Sequence, residues 1–124
     1  MLRPRSFEHI GIVVTDLDQT LRFYVDGLGL KLLRRKGEGL VGSAALKAGQ
    51  VEINVFSNPA AETGRLQRID HLCLSMESAT IDALIAALGE AGIPVASSPV
   101  RRSDGIALFV RDPDGIRVEL LVKE

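Results

Sequence analysis

A chain of 124 residues with 46% hydrophobic and 25% charged residues and a formal net charge of −1 has the size and balance of one globular domain with its own core. Aromatics at 4% and nearly cancelling charges exclude the basic, ring-interleaved stripe of a nucleic-acid binder. No run of about 18 apolar residues suits a bilayer, and "MLRPRSFEHI" lacks the apolar core of a secretory signal, so the expectation is a cytoplasmic domain over residues 1–124 with neither nucleic acid nor membrane as partner.

From Phe7 to Val14 the apolar residues run almost unbroken into "TDLD", which reads as a strand ending at a helix start, with Asp16 able to accept first-turn amides. Leu17, Leu21, Tyr24 and Leu28 then follow at helical spacing until "DGLGL" stops the helix. Three strand-like segments come next, "LKLLRRK", "SAALKAG" and "QVEINVF", parted by glycines. "SNPAAETGRLQR" is the one stretch with the composition of a linker.

After it "IDHLCLSM" reads as a strand, Ser78 or Thr80 can start a helix, and Ile81, Leu84, Ile85, Leu88 and Ala91 form its apolar face before Gly92 and Pro94. Cys73 has no second cysteine to bridge to and, among the apolar neighbours of "HLCLSM", reads as a buried, unreactive thiol. Strands "IPVAS", "GIALFVR" and "IRVELLV" close the chain, the last two joined by a "DPDG" turn.

Each half therefore reads strand, helix, strand, strand, strand. The repeat length is about 60 residues, and two copies of one supersecondary unit must combine to bury a core. The only two histidines, His9 in "SFEHIGIVV" and His71 in "RIDHLCLSM", stand at equivalent places of the two first strands. Small residues two positions on, Gly11 and Cys73, leave room beside each imidazole. Glu119 in "IRVELLV", with Glu52 and Asn54 in "QVEINVF", puts polar groups into closing strands, where a buried carboxylate must be paired or hold a cation. Taken singly, a strand histidine reads as a hydrogen-bonded core or rim residue, and a glutamate in a terminal strand as solvent-facing. Their joint occurrence at matching places of a repeat favours a nitrogen and oxygen donor set for a divalent metal.

The segments "HIGIVVTDLDQTLRFYVDGLGL" and "FVRDPDGIRVELL", within a likeness running from Phe7 to Val122, resemble the vicinal oxygen chelate superfamily of glyoxalase I, fosfomycin resistance proteins, methylmalonyl-CoA epimerase, extradiol dioxygenases and bleomycin-binding proteins. The resemblance implies an α+β fold of two βαβββ modules, about 6–57 and 68–123, with curved sheets cupping a metal and a homodimer whose sites lie near the subunit interface. It places ligands at His9, His71 and Glu119. The fourth falls on Glu52 or Asn54, according to whether "VEI" or "INVF" is aligned. Glu119 is implied as ligand and base, and Glu52 as ligand or second base.

Among the activities so implied, ring cleavage asks for a further histidine beyond the two present, and fosfomycin transfer for a longer loop and several basic pocket groups. A metal-dependent lyase or isomerase of glyoxalase type, acting on a small substrate that chelates through adjacent oxygens, asks for the fewest extra residues. A metal-free binder of an antibiotic or other small molecule is the opposing class, and it dispenses with the ligand histidines. Nickel, cobalt, manganese, iron and zinc all suit the donor set. Arg34, Arg35, Arg101 and Arg102 could meet an anionic group, but nothing in the sequence places them at the pocket.

Overall fold

The computed structural model describes residues 3, 9–60, 71–103 and 105–123. In the first half, β1 (His9–Val14), α1 (Leu17–Leu21), β2 (Lys31–Lys36), β3 (Ser43–Ala48) and β4 (Val51–Ser57) make a sheet of order β1-β4-β3-β2. In the second, β5 (Leu72–Met76), α2 (Ile81–Glu90), β6 (Val100–Arg102), β7 (Gly105–Arg111) and β8 (Arg117–Val122) make a sheet of order β5-β8-β7-β6. In both sheets the first strand runs parallel to the last, and the other neighbours are antiparallel. The α+β fold of two βαβββ modules read from the repeat is the fold the chain adopts. Residues 61–68 of the expected linker, residues 7–8 of the first expected strand and residues 69–70 of the expected strand "IDHLCLSM" lie outside the described residues.

Local chemistry accounts for the element ends. The Asp16 carboxylate accepts the Gln19 amide at 3.1 Å to open α1, and of the two candidates for the second helix it is the Thr80 hydroxyl that accepts the Ala83 amide, also at 3.1 Å. In the hairpin between β2 and β3, Gly42 has φ 138°, and a Cβ there would overlap the Lys36 carbonyl, so only glycine fits.

Two elements differ from the sequence reading. After Leu21 the helix widens into a π-helical turn over Arg22–Gly27, where the Leu28 amide donates to the carbonyl of Phe23, five residues back, at 2.9 Å. Leu17, Leu21 and Tyr24 stay buried, whereas the wider turn leaves Leu28 half-buried. The segment "IPVAS" is not a strand; β6 lies further on, at Val100–Arg102. Pro94 and Pro99 have no N–H for a ladder, and the segment pairs with β7 only where the Ala96 amide donates to the Phe109 carbonyl at 2.7 Å and Ser97 Oγ accepts the Phe109 amide at 3.0 Å.

Each sheet has a back face that enters one shared core. Ile12, Val14, Leu46, Ile53 and Val55 from the first sheet join Leu108, Val110, Val118, Leu120 and Val122 from the second, with Leu17, Leu21 and Tyr24 of the first helical segment and Leu84 and Leu88 of α2. The modules are also clasped by hydrogen bonds at the "DPDG" turn. The Tyr24 hydroxyl donates to Asp112 at 3.1 Å, and Asp114 accepts the Thr15 hydroxyl at 2.7 Å and the Thr15 amide at 3.1 Å. Among the described residues no helix is long and apolar enough to cross a membrane.

Candidate metal and substrate site

Alternate strand residues share a face, so the residues that do not enter the core form a front on each sheet. On the second sheet, Cys73 of β5 and Phe109 of β7 flank Glu119 of β8 in register, and His71 stands two residues before Cys73 on the same side. The Nε2 atom of His71 lies 3.1 Å from Oε1 of Glu119, and Nε of Arg102 lies 3.6 Å from Oε2. The Phe109 ring meets the imidazole edge-on at 5.5 Å between centroids, and the Arg117 guanidinium caps that ring at 4.2 Å. Glu119 is only 9% exposed, and a carboxylate at that depth is held by an imidazole on one oxygen and a guanidinium near the other.

Cys73 is exposed, contrary to the expectation of a buried thiol. The strand alternation explains the correction: Cys73 shares the front with His71, while its apolar neighbours Leu72 and Leu74 turn to the back. A run of apolar letters around a residue does not say which face it occupies.

On the first sheet, His9 pairs in register with Glu52, Gly11 with Asn54 and Val13 with Phe56, all on the front. Glu52 Oε2 lies 3.6 Å from the Arg34 guanidinium. The amide oxygen of Asn54 is buried and, among the described residues, has no hydrogen-bond partner. It lines a recess of about 160 Å³ with Arg34, Lys36, Ser43 and Phe56.

Register separates the two candidates for the fourth position. In the second sheet the residue two beyond the histidine, Cys73, is the partner of Glu119; in the first, the residue two beyond the histidine, Gly11, is the partner of Asn54. Asn54 is therefore the counterpart of Glu119, and Glu52 the counterpart of Arg117. A buried acceptor without a donor is costly in a folded chain, and here it stands where the other module has its carboxylate.

One chain does not bring the whole set together. Among the described residues no three His, Cys, Asp or Glu side chains gather around one point. His71 and Glu119 meet, while His9, Glu52 and Asn54 lie on the other sheet. The reason is the packing: the backs of both sheets share one core, which leaves each front turned outward from it. A separate cleft of about 720 Å³ between the modules runs from Ile10 and Ile53 to Leu74 and Met76, and of the candidate ligands only His71 borders it. Arg34 and Arg102 were legible in the sequence as basic residues, but their approach to Glu52 and Glu119 follows from the sheet register and the true position of β6.

Buried titratable groups also occur at the module clasp. Burial pushes the Asp112 carboxyl above its ordinary value, although bonds from Ile116, Tyr24 and Asp114 act the other way, and burial together with the Asp112 charge pushes the Tyr24 phenol far up. Both lie in the core, away from the fronts, and hold the modules together.

The profile described as the glyoxalase/bleomycin resistance protein/dioxygenase superfamily matches residues 6–120. A probable lactoylglutathione lyase of Synechocystis is 32% identical over 123 residues, spanning 91% of this chain and 92% of that protein. The glyoxalase domain-containing protein RDO1 of Mycosarcoma maydis is 32% identical over 128 residues, spanning 96% of this chain and 69% of that protein. Among solved structures, the glyoxalase family protein from Enterococcus faecalis superposes with a TM-score of 0.78 at 25% identity, covering 94% of this chain and 97% of its own.

Proposed function

The chain belongs to the glyoxalase/bleomycin resistance protein/dioxygenase superfamily, and on that premise we propose that it is a divalent-metal-dependent, glyoxalase-like lyase or isomerase whose site forms between the first-sheet front of one subunit and the second-sheet front of another. The observation that carries this reading is the contact of His71 with a buried Glu119 on one front, matched on the other by His9 and by the Asn54 oxygen, which has no partner among the described residues, at equivalent register positions. Two imidazoles, one carboxylate and one amide oxygen are a fitting donor set for nickel, cobalt, manganese, iron or zinc. Such a cation supplies Lewis-acid polarisation to a substrate that offers it adjacent oxygens.

The residues have distinct work in this scheme. Glu119, already 3.1 Å from His71, is the ligand and the base that takes a proton from the carbon beside a carbonyl and returns it to the neighbouring carbon. No electrons leave the substrate, so isomerisation needs no redox partner. Glu52, in register with His9, is the second carboxylate within the front and the reserve base. Phe109 walls the second front and limits water around Glu119. The substrate is a small oxygenated molecule, and the working unit a homodimer.

Subunit mixing tests the reading. H9A and E119Q are purified separately without chelator, then unfolded and refolded together, and metal is measured by elemental analysis. Neither variant alone holds metal. In a homodimer with shared sites, each mixed dimer regains one intact site, so random mixing restores about a quarter of the wild-type content. Turnover of the methylglyoxal–glutathione adduct, assayed with each metal, follows the same pattern. Wild-type protein without metal would instead support a small-molecule binder using the cleft between the modules.

A further inference from the structure

The two fronts are far more basic than the chain that carries them. On the first front Lys31, Arg34, Lys36 and Lys47 surround Glu52, and on the second Arg102, Arg111 and Arg117 surround Glu119, in a chain of net charge −1. Arg35 is not among them: it points to the other side and binds Asp18 at 2.6 Å. Cations gathered on one pair of faces of a nearly neutral protein raise the local concentration of anions there.

The placement of two of these cations repeats between the modules. Arg34 from the edge strand β2 lies 3.6 Å from Glu52, and Arg102 from the edge strand β6 lies 3.6 Å from Glu119. At that separation the contact is electrostatic and longer than a hydrogen bond, so neither guanidinium makes the two-pronged bond it is shaped for. The burial is also uneven: the Glu119 side chain is 12% exposed and that of Arg102 45%, so the arginine is the partner open to an incoming ligand.

We propose that the substrate is an oxyanion, bearing a carboxylate or phosphate next to its chelating oxygens, and that Arg102, assisted by Arg34 from the facing front, binds that charged group while Glu119 turns to the metal. The inference rests on the site reading given above. It adds the substrate's charge and names the residues that select it. A planar fork of donors matches both carboxylate and phosphate, and lysine in its place would keep the charge but not the fork.

The test is calorimetric titration of protein loaded with Mn(II), using as probes oxalate, inorganic phosphate and acetohydroxamic acid, a chelator with no charged group beyond its chelating oxygens. R102Q is expected to weaken oxalate or phosphate by about tenfold or more, as befits loss of a charge-assisted bond, and to leave acetohydroxamic acid within about twofold. Mn(II) itself binds R102Q at least as well as wild type, because a competing cation has left Glu119. R102K retains an intermediate anion affinity, and R34Q weakens the anion by a smaller factor. A larger effect on oxalate marks a carboxylate substrate, and on phosphate a phosphorylated one. If Mn(II) binds but R102Q and R34Q leave the anions unchanged, or weaken acetohydroxamic acid equally, the metal site stands and this inference is overturned. If wild-type protein binds no Mn(II), both fall. Should R102Q fail to fold, R34Q and R102K give the same decision.

Discussion

Replacing Asp112 by alanine is expected to cost about 3 kcal/mol of stability. The carboxylate accepts three bonds inside the clasp: the Ile116 amide at 2.8 Å, the Asp114 amide at 2.9 Å and the Tyr24 hydroxyl at 3.1 Å. Tyr24 is fully buried, so its hydroxyl would find no water in place of the lost acceptor. Each buried donor left without a partner costs about 1–3 kcal/mol, and neighbouring losses add incompletely, which gives the stated sum. D112N separates the bonds from the charge. Its amide oxygen can accept both backbone amides and its NH₂ can donate to the Tyr24 oxygen, but the phenol hydrogen loses its acceptor, so D112N is expected to lose about 1–2 kcal/mol at neutral pH, less than D112A.

Burial raises the folded-state value of the Asp112 carboxyl above the ordinary 3.8, so the folded state binds the proton more tightly than the unfolded chain does. The charged form is the one that burial penalises. Stability from this group is therefore full below the ordinary value and is lost as pH climbs through the raised one. Wild type should gain on D112N as pH falls from about 7 toward 4, since only wild type has a proton to take up. Guanidinium unfolding of the three proteins across that range measures both effects. A loss below about 1 kcal/mol in D112A, or a pH-independent gap between wild type and D112N, would refute the clasp as a load carried by bonds to a buried carboxylate.

Tyr24→Phe removes the donor of the same bond and is expected to lose about 1 kcal/mol, with less than additive loss when combined with D112A in a double-mutant cycle. Gly42→Ala forces a side chain onto the Lys36 carbonyl at a positive φ, and should destabilise the fold by more than about 1 kcal/mol, read as a lower unfolding midpoint. Thr80→Ala removes the cap of α2 and should cost about 1 kcal/mol, read by the same titration. On the proposed reading, Glu119→Gln abolishes metal binding while leaving the far-ultraviolet circular dichroism of both sheets unchanged, because its side chain lies on the front and not in the core.

Periodicity made the fold legible where it coincided with packing. Strands β1, β4 and β5 alternate more and less buried residues as a sheet with one buried face must, and the two caps at Asp16 and Thr80 follow from side-chain chemistry alone. The π-helical turn escaped because Leu17, Leu21, Tyr24 and Leu28 are spaced as an α-helix would space them, and the widening depends on backbone bonds that no residue pattern encodes. β6 escaped because "IPVAS" has strand-like apolar content, while its prolines limit pairing to single bonds. The candidate ligands were legible as residue types, since histidines and a glutamate at matched places of a repeat are conspicuous. Which of Glu52 and Asn54 matches Glu119 was not, because both lie on one face and the answer requires the register between β1 and β4.

That register has a consequence for how the duplicated unit divides its labour. Were the modules still equivalent, each front would pair a histidine with a carboxylate two rows on, and a joined site would hold two buried carboxylates facing one another. In the joined site proposed above, Asn54 as the register counterpart of Glu119 would leave one negative ligand, so a divalent cation and its protein donors would retain a net positive charge. Glu52 is drawn off by Arg34 and does not cancel that charge. A proposed site left positive at the metal, with Arg102 beside its carboxylate, would suit an oxyanion, whereas a carboxylate at residue 54 would repel one. Asn54→Asp should thus leave metal bound, or bound more tightly, and lower the affinity of Mn(II)-loaded protein for dianionic oxalate by about tenfold, and by less for acetohydroxamic acid, which binds metal as a monoanion, since repulsion from an added charge within about 4–6 Å grows with the ligand's charge. Equal affinity of N54D and wild type for oxalate would mean that Asn54 lies apart from the ligand set, and that the correspondence between the sheets ends at the backbone.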